Sequence, residues 1–439
     1  MLQNSITKKA ENVRDVIRYL KKFNNALVVI YLDDKTIDSP LFSSHLRDIA
    51  LLHQVGIKVV IVPGARKRID EILSASKIKC EYHDGIRIAD EEAMPLIKMA
   101  AFDVSNTVMT KLAAKNITAI IGNWVHSRAK GIIDGFDFQT AGEIDKLNIP
   151  AIKTVLEDGF IPIFPCIGWN PVGRPYNISS VSLAQSIAIE LKADKLFFMM
   201  DNPSINSTEY QIPATFALSQ EGELPAMNLE EVDEFIKLNP QKNQITSLLK
   251  KAKDACNQGV TRVHLVDGNL DGVLLSEIFS DLGSGTMIYK NNYGHIRDME
   301  RQDVAAVLSL MKPFVQEGKL LERSEQDLLD NLNDYIVYEL DGAIRACAAL
   351  HLYDDLQAEI AAVAVDESFG NMGIGPKLIK TLLQKAQNYH AKSVFILTTQ
   401  AIDWFEKLGF VLDNVDSLPE ERKQKWNAQR NSKVYRKKD

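Results

Sequence analysis

The sequence predicts an α/β protein with two domains: an open, mostly parallel sheet sandwich, followed by a smaller domain of mixed α+β type. The chain has 439 residues, which is longer than one hydrophobic core usually grows. Short apolar runs alternate with amphipathic helical patterns in the longer first part. Two glycine-containing segments, Asp281–Gly285 and Asn291–Gly294, then interrupt the alternation. We therefore expect domains at residues 1–288 and 289–439.

The first domain is expected to contain a parallel sheet, because its short apolar strands alternate with helices that can cover both faces. The predicted strands are Leu27–Leu32, Lys58–Pro63, Ala119–Ile121, Ile161–Pro165 and Lys195–Met199. The predicted helices are Leu41–Val55, Ala65–Ser74 and Glu91–Lys115. A further amphipathic helix over residues 8–23 precedes them, and its apolar stripe fits either a core or a dimer seam.

The second domain is predicted to run as two helices, three strands, a helix, a strand and a final helix. The middle strands alternate Ala, Val and Ile, which indicates burial on both faces. The predicted elements, apart from the helix that follows the third strand, are Asp303–Gln316, Ser324–Leu332, Tyr335–Glu339, Ala343–Leu352, Ala358–Val365, Ser393–Thr398 and Ala401–Lys407.

The turn between the third of these strands and the next helix predicts an anion-binding site. Gly373 and Gly375 allow the backbone to approach a ligand closely. The first N–H groups of the following helix have no intrahelical acceptor and point toward such a ligand. A pyrophosphate can therefore bind here without a basic side chain. The residues expected to form this cradle are Asn371, Met372, Gly373, Ile374 and Gly375.

Composition argues against several other classes of protein. The formal net charge of −7 disfavours a nucleic-acid or anionic-membrane partner, because both need a basic face. The basic tail from Arg422 to Lys438 is interpreted as a solvated helix and chain end, since no aromatic stacking platform accompanies it. With no signal peptide or membrane span expected, we predict a cytoplasmic protein. The cysteines lack metal-ligand spacing, so no metal is expected and all are predicted to be reduced core residues: Cys80, Cys166, Cys256 and Cys347.

The cradle segment resembles the acetyl-coenzyme A motif of the GCN5-related N-acetyltransferases. That motif opens with Arg or Gln, where this chain has Gly370, a departure that weakens one phosphate contact but leaves the backbone cradle intact. The resemblance implies acetyl-CoA as the cosubstrate. It also implies that the pantetheine arm pairs with the strand backbone at Val363, Ala364 and Val365, in the manner of an added strand.

The first domain resembles the amino-acid kinase fold, specifically its N-acetylglutamate kinase branch. The segments that carry this resemblance are VVIVPGARKRIDEIL, GNWVHSRAKGIIDGFDFQTAGEI, YNISSVSLAQSIAIELKADKL and LLSEIFSDLGSGTMI. Where the kinases have Lys-Gly-Gly and a glycine-rich turn for ATP, this chain has Tyr31–Asp34 and Pro63–Arg66. Carboxylates repel a triphosphate, and proline has no N–H to donate. With Val181 in place of the family's aspartate, the domain is predicted to be non-catalytic.

The same branch includes arginine-inhibited members, so the resemblance implies an effector site for L-arginine. Glu277 can pair with a guanidinium, while Lys195 and loop N–H groups can bind a carboxylate. Leu282 and Ser280 depart from the family's loop, which leaves the strength and sign of the arginine effect open. The matching positions are Lys195, His264, Glu277, Gly283, Ser284 and Gly285.

The two domains in this order resemble the bacterial N-acetylglutamate synthase family, and RACAALHLY, VFILTTQAIDWFEKLGF and SLPEERKQKWNAQRNSKV support it. The resemblance implies acetyl transfer to the α-amino group of L-glutamate, the first step of arginine biosynthesis, with feedback inhibition by arginine. Arg323 and Arg430 match the carboxylate-binding arginines, and Glu359 is the candidate proton acceptor, through a water molecule. Leu356 stands where the family often has a lysine.

Three alternatives remain open. The first is a working kinase, against which Tyr31, Asp33 and Val181 argue. The second is an arginine-binding regulatory protein with an inactive acetyltransferase domain, which Leu356 and Gly370 keep open. The third is acetylation of another amine, such as a protein lysine or a polyamine. The paired arginines argue against it, because they would repel a cationic substrate. The family resemblance also implies a homo-oligomer, commonly a hexamer.

Overall fold

A computed structural model describes residues 16–17, 20, 23–213, 216, 218–219, 221–241, 243–279, 284–290, 294–340, 342–369, 373–427 and 430–437. The chain divides into two compact units, Met1–Asn291 and Asn292–Asp439. The helix predicted over residues 8–23 lies outside the described residues, apart from positions 16, 17, 20 and 23. None of the described helices is long and apolar enough to cross a membrane.

The first unit is built on an eight-stranded sheet with the order β14-β16-β15-β13-β1-β2-β10-β5. All neighbouring strands in it are parallel except β15 and β16. The strands of this unit are β1 (Leu27–Leu32), β2 (Lys58–Pro63), β3 (Glu81–His83), β4 (Ile86–Ile88), β5 (Ala119–Ile121), β6 (Val125–Ala129), β7 (Ile132–Ile133), β8 (Phe136–Asp137), β9 (Gly142–Leu147), β10 (Ile161–Ile163), β11 (Ile167–Trp169), β12 (Pro175–Asn177), β13 (Lys195–Met200), β14 (Ala226–Asn228), β15 (Arg262–Asp267) and β16 (Thr286–Tyr289).

Helices cover both faces of this sheet. Val29 and Phe198 belong to the core on one face, and Val28 and Phe197 belong to the core on the other. This two-sided burial explains why the central strands are continuous apolar runs. The helices are α1 (Asp34–Asp38), α2 (Phe42–Gln54), α3 (Arg66–Ala75), α4 (Met94–Ala113), α5 (Ile149–Glu157), α6 (Ser180–Glu190), α7 (Leu229–Leu238), α8 (Gln244–Asn257) and α9 (Val273–Phe279).

The second unit is a seven-stranded sheet with the order β17-β18-β19-β20-β21-β23-β22, antiparallel except for β20 and β21. Its strands are β17 (Gly294–Asp298), β18 (Tyr335–Leu340), β19 (Ala343–Leu352), β20 (Gln357–Val365), β21 (Ser393–Thr398), β22 (Val411–Asp413) and β23 (Lys433–Lys437). Its helices are α10 (Val304–Gln316), α11 (Glu325–Asp330), α12 (Ile374–Asn388), α13 (Ile402–Lys407) and α14 (Glu420–Gln424).

The predicted fold class is confirmed, and most predicted elements agree with the structure to within a few residues. The sequence reasoning did not anticipate the four-stranded sheet β12-β11-β6-β9 or the hairpins β3-β4 and β7-β8. The prediction of a solvated C-terminal end is wrong for residues 433–437, which form β23. Arg436 is buried in this strand, because its guanidinium binds Asp413, Gln357, Ser393 and a backbone carbonyl.

Candidate functional site

A cleft opens in the second unit where β20 and β21 part. The two strands pair only from Gln357–Ile360 to Ser393–Ile396, so the rest of β20 has no strand partner on that edge among the described residues. On its other edge, where β20 pairs with β19, a β-bulge lies close to the point where β20 and β21 part. Between the pairs Ala349–Ala361 and Cys347–Ala364, β20 has one extra residue, and Ala362 takes a φ of 53°.

This free edge is where the sequence predicted contacts to the pantetheine arm. Val363 belongs to the bulge, Ala364 and Val365 follow it, and all three lie on the stretch of β20 that does not pair with β21. A strand edge with unpaired N–H and C=O groups can accept an extended amide-containing chain as an added strand. The geometry therefore fits the arm of a CoA thioester.

The turn before α12 has the backbone that an anion-binding cradle needs. Gly373 is the N-cap at φ 64°, a left-handed conformation that glycine adopts at little cost, and no side chain among the described residues caps the helix. The N–H groups of Ile374 and Gly375 belong to the first helical turn and have no intrahelical acceptor. Gly375 is also required for packing, because a Cβ there would lie 2.9 Å from Cζ2 of Trp404. The predicted cradle residues Asn371 and Met372 lie outside the described residues.

The candidate proton acceptor, Glu359, is the last but one residue of β20 that pairs with β21. Its side chain is buried and binds Arg422, which the sequence analysis assigned to a solvated C-terminal segment. Nε of Arg422 lies 2.7 Å from Oε2 of Glu359, and Nη2 lies 3.1 Å from Oε1. The hydroxyl of Tyr353 donates to Oε2 at 2.8 Å. Glu359 is therefore part of a buried ion pair, and its catalytic role stays a prediction.

Three guanidinium groups lie close together near this carboxylate. Burial lowers the pKa of Arg430, and the positive charges of Arg323 and Arg422 lower it further. Arg422 is neutralised by Glu359. Within the described part of the chain, neither Arg323 nor Arg430 has an ion pair with a carboxylate. Among these four side chains, positive charge therefore exceeds negative charge.

The contacts of Arg430 leave part of its guanidinium available. Its Nη2 donates to the backbone carbonyls of Gly318 and Lys319, at 3.2 and 2.7 Å. Its Nε is buried and has no hydrogen-bond partner among the described residues. A buried N–H without an acceptor is costly, and an acceptor oxygen of a ligand would satisfy it.

Another cluster of predicted site residues comes together in the first unit. Nδ1 of His264, on β15, lies 2.7 Å from Oε1 of Glu277, on α9. The N–H groups of Ser284 and Gly285 donate to Oε2 of Glu277 at 2.8 and 3.3 Å. Nζ of Lys195 lies 3.5 Å from the backbone carbonyl of Glu277. The predicted effector residue Gly283 lies outside the described residues, as do Leu282 and Ser280.

Charge in this cluster is set by burial. Burial lowers the pKa of His264 to about 4, so the imidazole is neutral near pH 7 and donates its Nδ1–H to Glu277. Burial alone would raise the pKa of Glu277, but the contact with His264, the charge of Lys195 and the Ser284 N–H lower it. The remaining nitrogen of His264, Nε2, is buried without a partner in the described structure. A ligand N–H donor would satisfy it.

The carboxyl ends of β1 and β2, where the kinases bind ATP, are filled by the chain itself. Asp33 accepts from the N–H groups of Thr36 and Asp201, at 2.6 and 3.1 Å. Asp34 accepts from the N–H of Lys67, in the first turn of α3, at 2.8 Å. These carboxylates occupy backbone donors that a phosphate would otherwise use. Their arrangement gives a second reason, besides repulsion, for expecting no triphosphate here.

Comparisons with known proteins agree with this architecture. Residues 26–267 match the amino acid kinase family, and residues 302–410 match the acetyltransferase (GNAT) family. The protein thus combines an amino-acid-kinase-like domain with an acetyl-CoA-dependent acetyltransferase domain. Among the described residues, no group of three or more His, Cys, Asp or Glu side chains could hold a metal ion.

Relatives that match both domains together identify the family more specifically. The chain is 33% identical over 422 residues to an amino-acid acetyltransferase of Actinobacillus pleuropneumoniae serotype 7, covering 95% of each chain. It belongs to the amino-acid acetyltransferase family. It is also similar to N-acetylglutamate synthase of Neisseria gonorrhoeae, solved with coenzyme A and L-arginine, at 26% identity, with 98% of this chain and 99% of that chain covered and a TM-score of 0.79. The complex with coenzyme A and N-acetyl-glutamate matches at 28% identity over the same shares, with a TM-score of 0.61.

Proposed function

We propose that this amino-acid acetyltransferase acetylates the α-amino group of L-glutamate and is inhibited by L-arginine bound in the first unit. The charge of the candidate substrate site supports the first part of this proposal, the acetylation of L-glutamate. Arg422 is balanced by Glu359, which leaves Arg323 and Arg430 for ligand carboxylates. Two guanidinium groups that lack a carboxylate partner in the described structure match the two carboxylates of a dicarboxylic amino acid. The synthase solved with N-acetyl-glutamate supports glutamate as that acid.

The reaction needs a deprotonated amine near the thioester. The ammonium group of glutamate loses one proton to Glu359 through a water molecule, and its nitrogen then attacks the thioester carbonyl carbon. A C–N bond forms, the C–S bond breaks, and the nitrogen loses a second proton as the amide forms. The CoA thiolate takes up one proton, so the net reaction releases one proton to solvent. Backbone N–H groups on the free edge of β20 can stabilise the carbonyl oxygen.

The effector site supports arginine by its charge and by its unsatisfied acceptor. Glu277 is ionised, and His264 is neutral, so neither repels a guanidinium. Nε2 of His264 offers a lone pair to an N–H of the ligand. Lys195 lies close by and can attract the ligand carboxylate. We propose residues 1–288 as a non-catalytic effector domain and residues 289–439 as the acetyltransferase domain.

A substrate panel tests the substrate assignment. CoA release is measured with purified protein, acetyl-CoA and L-glutamate, L-aspartate or L-glutamine. Glutamine is the matched control, because it replaces one carboxylate by an amide of the same shape. We expect kcat/KM to be about 100-fold higher for glutamate than for glutamine, since a buried charge pair is lost. Equal rates, or turnover only with a cationic amine, would reject the substrate assignment.

The effector assignment has an equally close control. L-Citrulline has the length of L-arginine but a neutral urea in place of the guanidinium. We expect L-arginine to suppress glutamate-dependent CoA release and L-citrulline to have no effect at the same concentration. Inhibition by both compounds, or by neither, would contradict the proposed role of Glu277. Arginine binding without CoA release in the presence of any of these amino acids would favour the regulatory alternative.

A further inference from the structure

The contacts of Arg422 are those of a residue that fixes the orientation of a carboxylate. Its Nε and Nη2 bind the two oxygens of Glu359, so the guanidinium and the carboxylate form a bidentate pair. The side chains are 14% and 6% exposed. Arg422 lies on α14, 63 residues along the chain from Glu359, so only the tertiary fold brings the pair together.

The pair leaves one position on the carboxylate open. Oε2 accepts from Nε of Arg422 and from the hydroxyl of Tyr353, which fills both of its lone pairs. Oε1 accepts only from Nη2 of Arg422 in the described structure. One acceptor position of Oε1 is therefore free, and Arg422 and Tyr353 together determine its direction.

The location of the pair connects it to the reaction. Glu359 pairs with Phe395 at the second-last rung before β20 and β21 part, so the residue lies next to the point where the predicted acetyl-CoA cleft opens. A buried ion pair contributes little net stability, because its desolvation offsets its attraction. Packing alone therefore gives a weak reason for placing this pair next to the cleft.

We propose that Arg422 is a positioning residue: with Tyr353, it holds Glu359 so that only Oε1 faces the amine or its bridging water. This inference rests on the proposed role of Glu359 as proton acceptor. Lysine at position 422 keeps the positive charge but cannot bind both oxygens with a planar fork. The carboxylate then rotates away from its productive direction, although its charge remains balanced.

The test compares Arg422→Lys with Arg297→Lys. Arg297 makes a bidentate pair with Asp303 in the same unit, with exposures of 22% and 7%, on β17 at the edge of the sheet. We expect Arg422→Lys to lower kcat about 100-fold with KM for acetyl-CoA within about twofold of wild type. Arg297→Lys should reproduce any change in melting temperature and keep kcat within about threefold.

Two further variants separate positioning from folding. Glu359→Gln keeps the shape of the side chain, and adding Arg422→Lys to it should lower kcat by no more than about threefold, because residues that act as one unit are not additive. Tyr353→Phe leaves the ion pair intact and should lower kcat about tenfold. Independent, multiplicative losses in the double variant would overturn the proposal. So would a kcat within about threefold of wild type in Arg422→Lys or in Tyr353→Phe.

The wild-type enzyme in the same assay separates this inference from the proposed function. The variants are measured with whichever amino acid the wild type acetylates. Failure of the wild type with glutamate rejects the substrate assignment alone. A wild-type-like kcat for Glu359→Gln rejects the proton-acceptor role and, with it, the positioning role of Arg422.

Discussion

The two candidate amino-acid sites of this protein differ in their balance of charged side chains. In the second unit, Arg323 and Arg430 lack carboxylate partners in the described structure, while Glu359 is already paired with Arg422. In the first unit, the ionised Glu277 is bound by a neutral imidazole and backbone N–H groups, with one cation, Lys195, nearby. The difference teaches why the proposed function assigns different ligands to the two sites: arginines without a carboxylate partner suit an acidic amino acid, whereas a carboxylate with a lysine nearby suits a basic amino acid with its own carboxylate.

The largest expected effect removes one cation from the substrate site. Arg430→Gln should lower kcat/KM for glutamate about 100-fold or more, because a ligand carboxylate would lose a buried charged partner. Arginine binding by the same variant, measured by calorimetry, should stay within about twofold of wild type. A loss of arginine affinity in this variant would break the assignment of the two ligands to separate sites.

The reciprocal change removes the anion from the effector site. Glu277→Gln preserves size but cannot form an ion pair with a guanidinium, so the Kd for arginine should rise about 50-fold. Glutamate turnover without arginine should be unchanged within about twofold. Titration of arginine against CoA release provides the measurement. Unaltered inhibition would show that arginine binds elsewhere.

A smaller effect concerns the neutral state of His264. Its pKa is lowered from 6.5 to about 4 in the fold, so the unfolded chain takes up a proton first as the pH falls. The free energy of unfolding should therefore decrease by about 2 kcal/mol between pH 7 and pH 5. His264→Asn, which retains an N–H donor for Glu277, should remove this part of the slope. Chemical denaturation of both proteins at the two pH values measures it.

The lowered pKa of Glu277 acts in the same direction at lower pH. Its ionised form contributes stability above the pKa of the unfolded chain, and that contribution is lost as the pH falls through the folded value. Glu277 therefore loses its contribution to stability only at pH values below the usual carboxyl range. The expected change in the free energy of unfolding between pH 7 and pH 5 then comes from His264. An equal slope in wild type and His264→Asn would contradict the neutral imidazole.

The smallest expected effect tests the cofactor cradle. Gly373→Ala places an alanine at φ 64°, which costs about 1 kcal/mol of stability even though the space around the Cβ is open. Gly342→Ala is the matched control, because Gly342 has φ 77° and equally open space in another turn. Both should destabilise equally, but only Gly373→Ala should raise KM for acetyl-CoA, by about fivefold. Equal KM values in the two variants would remove the turn from the cofactor site.

Local sequence patterns were sufficient to predict most of the fold. The spacing of apolar residues distinguishes strands from helices, and glycines mark turns. β1, β2 and β19 were predicted with the bounds that the structure shows. Short strands such as β22 and β23 were missed, because three to five residues carry too little periodicity. The bulge at Ala362 was missed as well, since no sequence signal marks an alanine with positive φ.

The candidate sites divide in the same way. Residues within recognised motifs, such as Gly373, Glu277 and Arg430, were predicted from the sequence. Arg422 and Tyr353 were missed, although Arg422 lies in a segment that carries the family resemblance. A run of basic residues in a sequence is usually exposed to solvent. No local feature of the sequence therefore distinguished Arg422, which forms an ion pair with the buried Glu359, from its basic neighbours.

The sequence by itself determined the fold class, the order of the two domains and the backbone of the cofactor turn, because these depend on residue pattern over short distances. Only the tertiary structure decided which charges are paired and which are left over. Ion pairs such as Arg422–Glu359 and contacts such as His264–Glu277 form between separate elements, and burial sets their protonation. Charge balance is a property of a pocket, and a pocket exists only after the chain has folded.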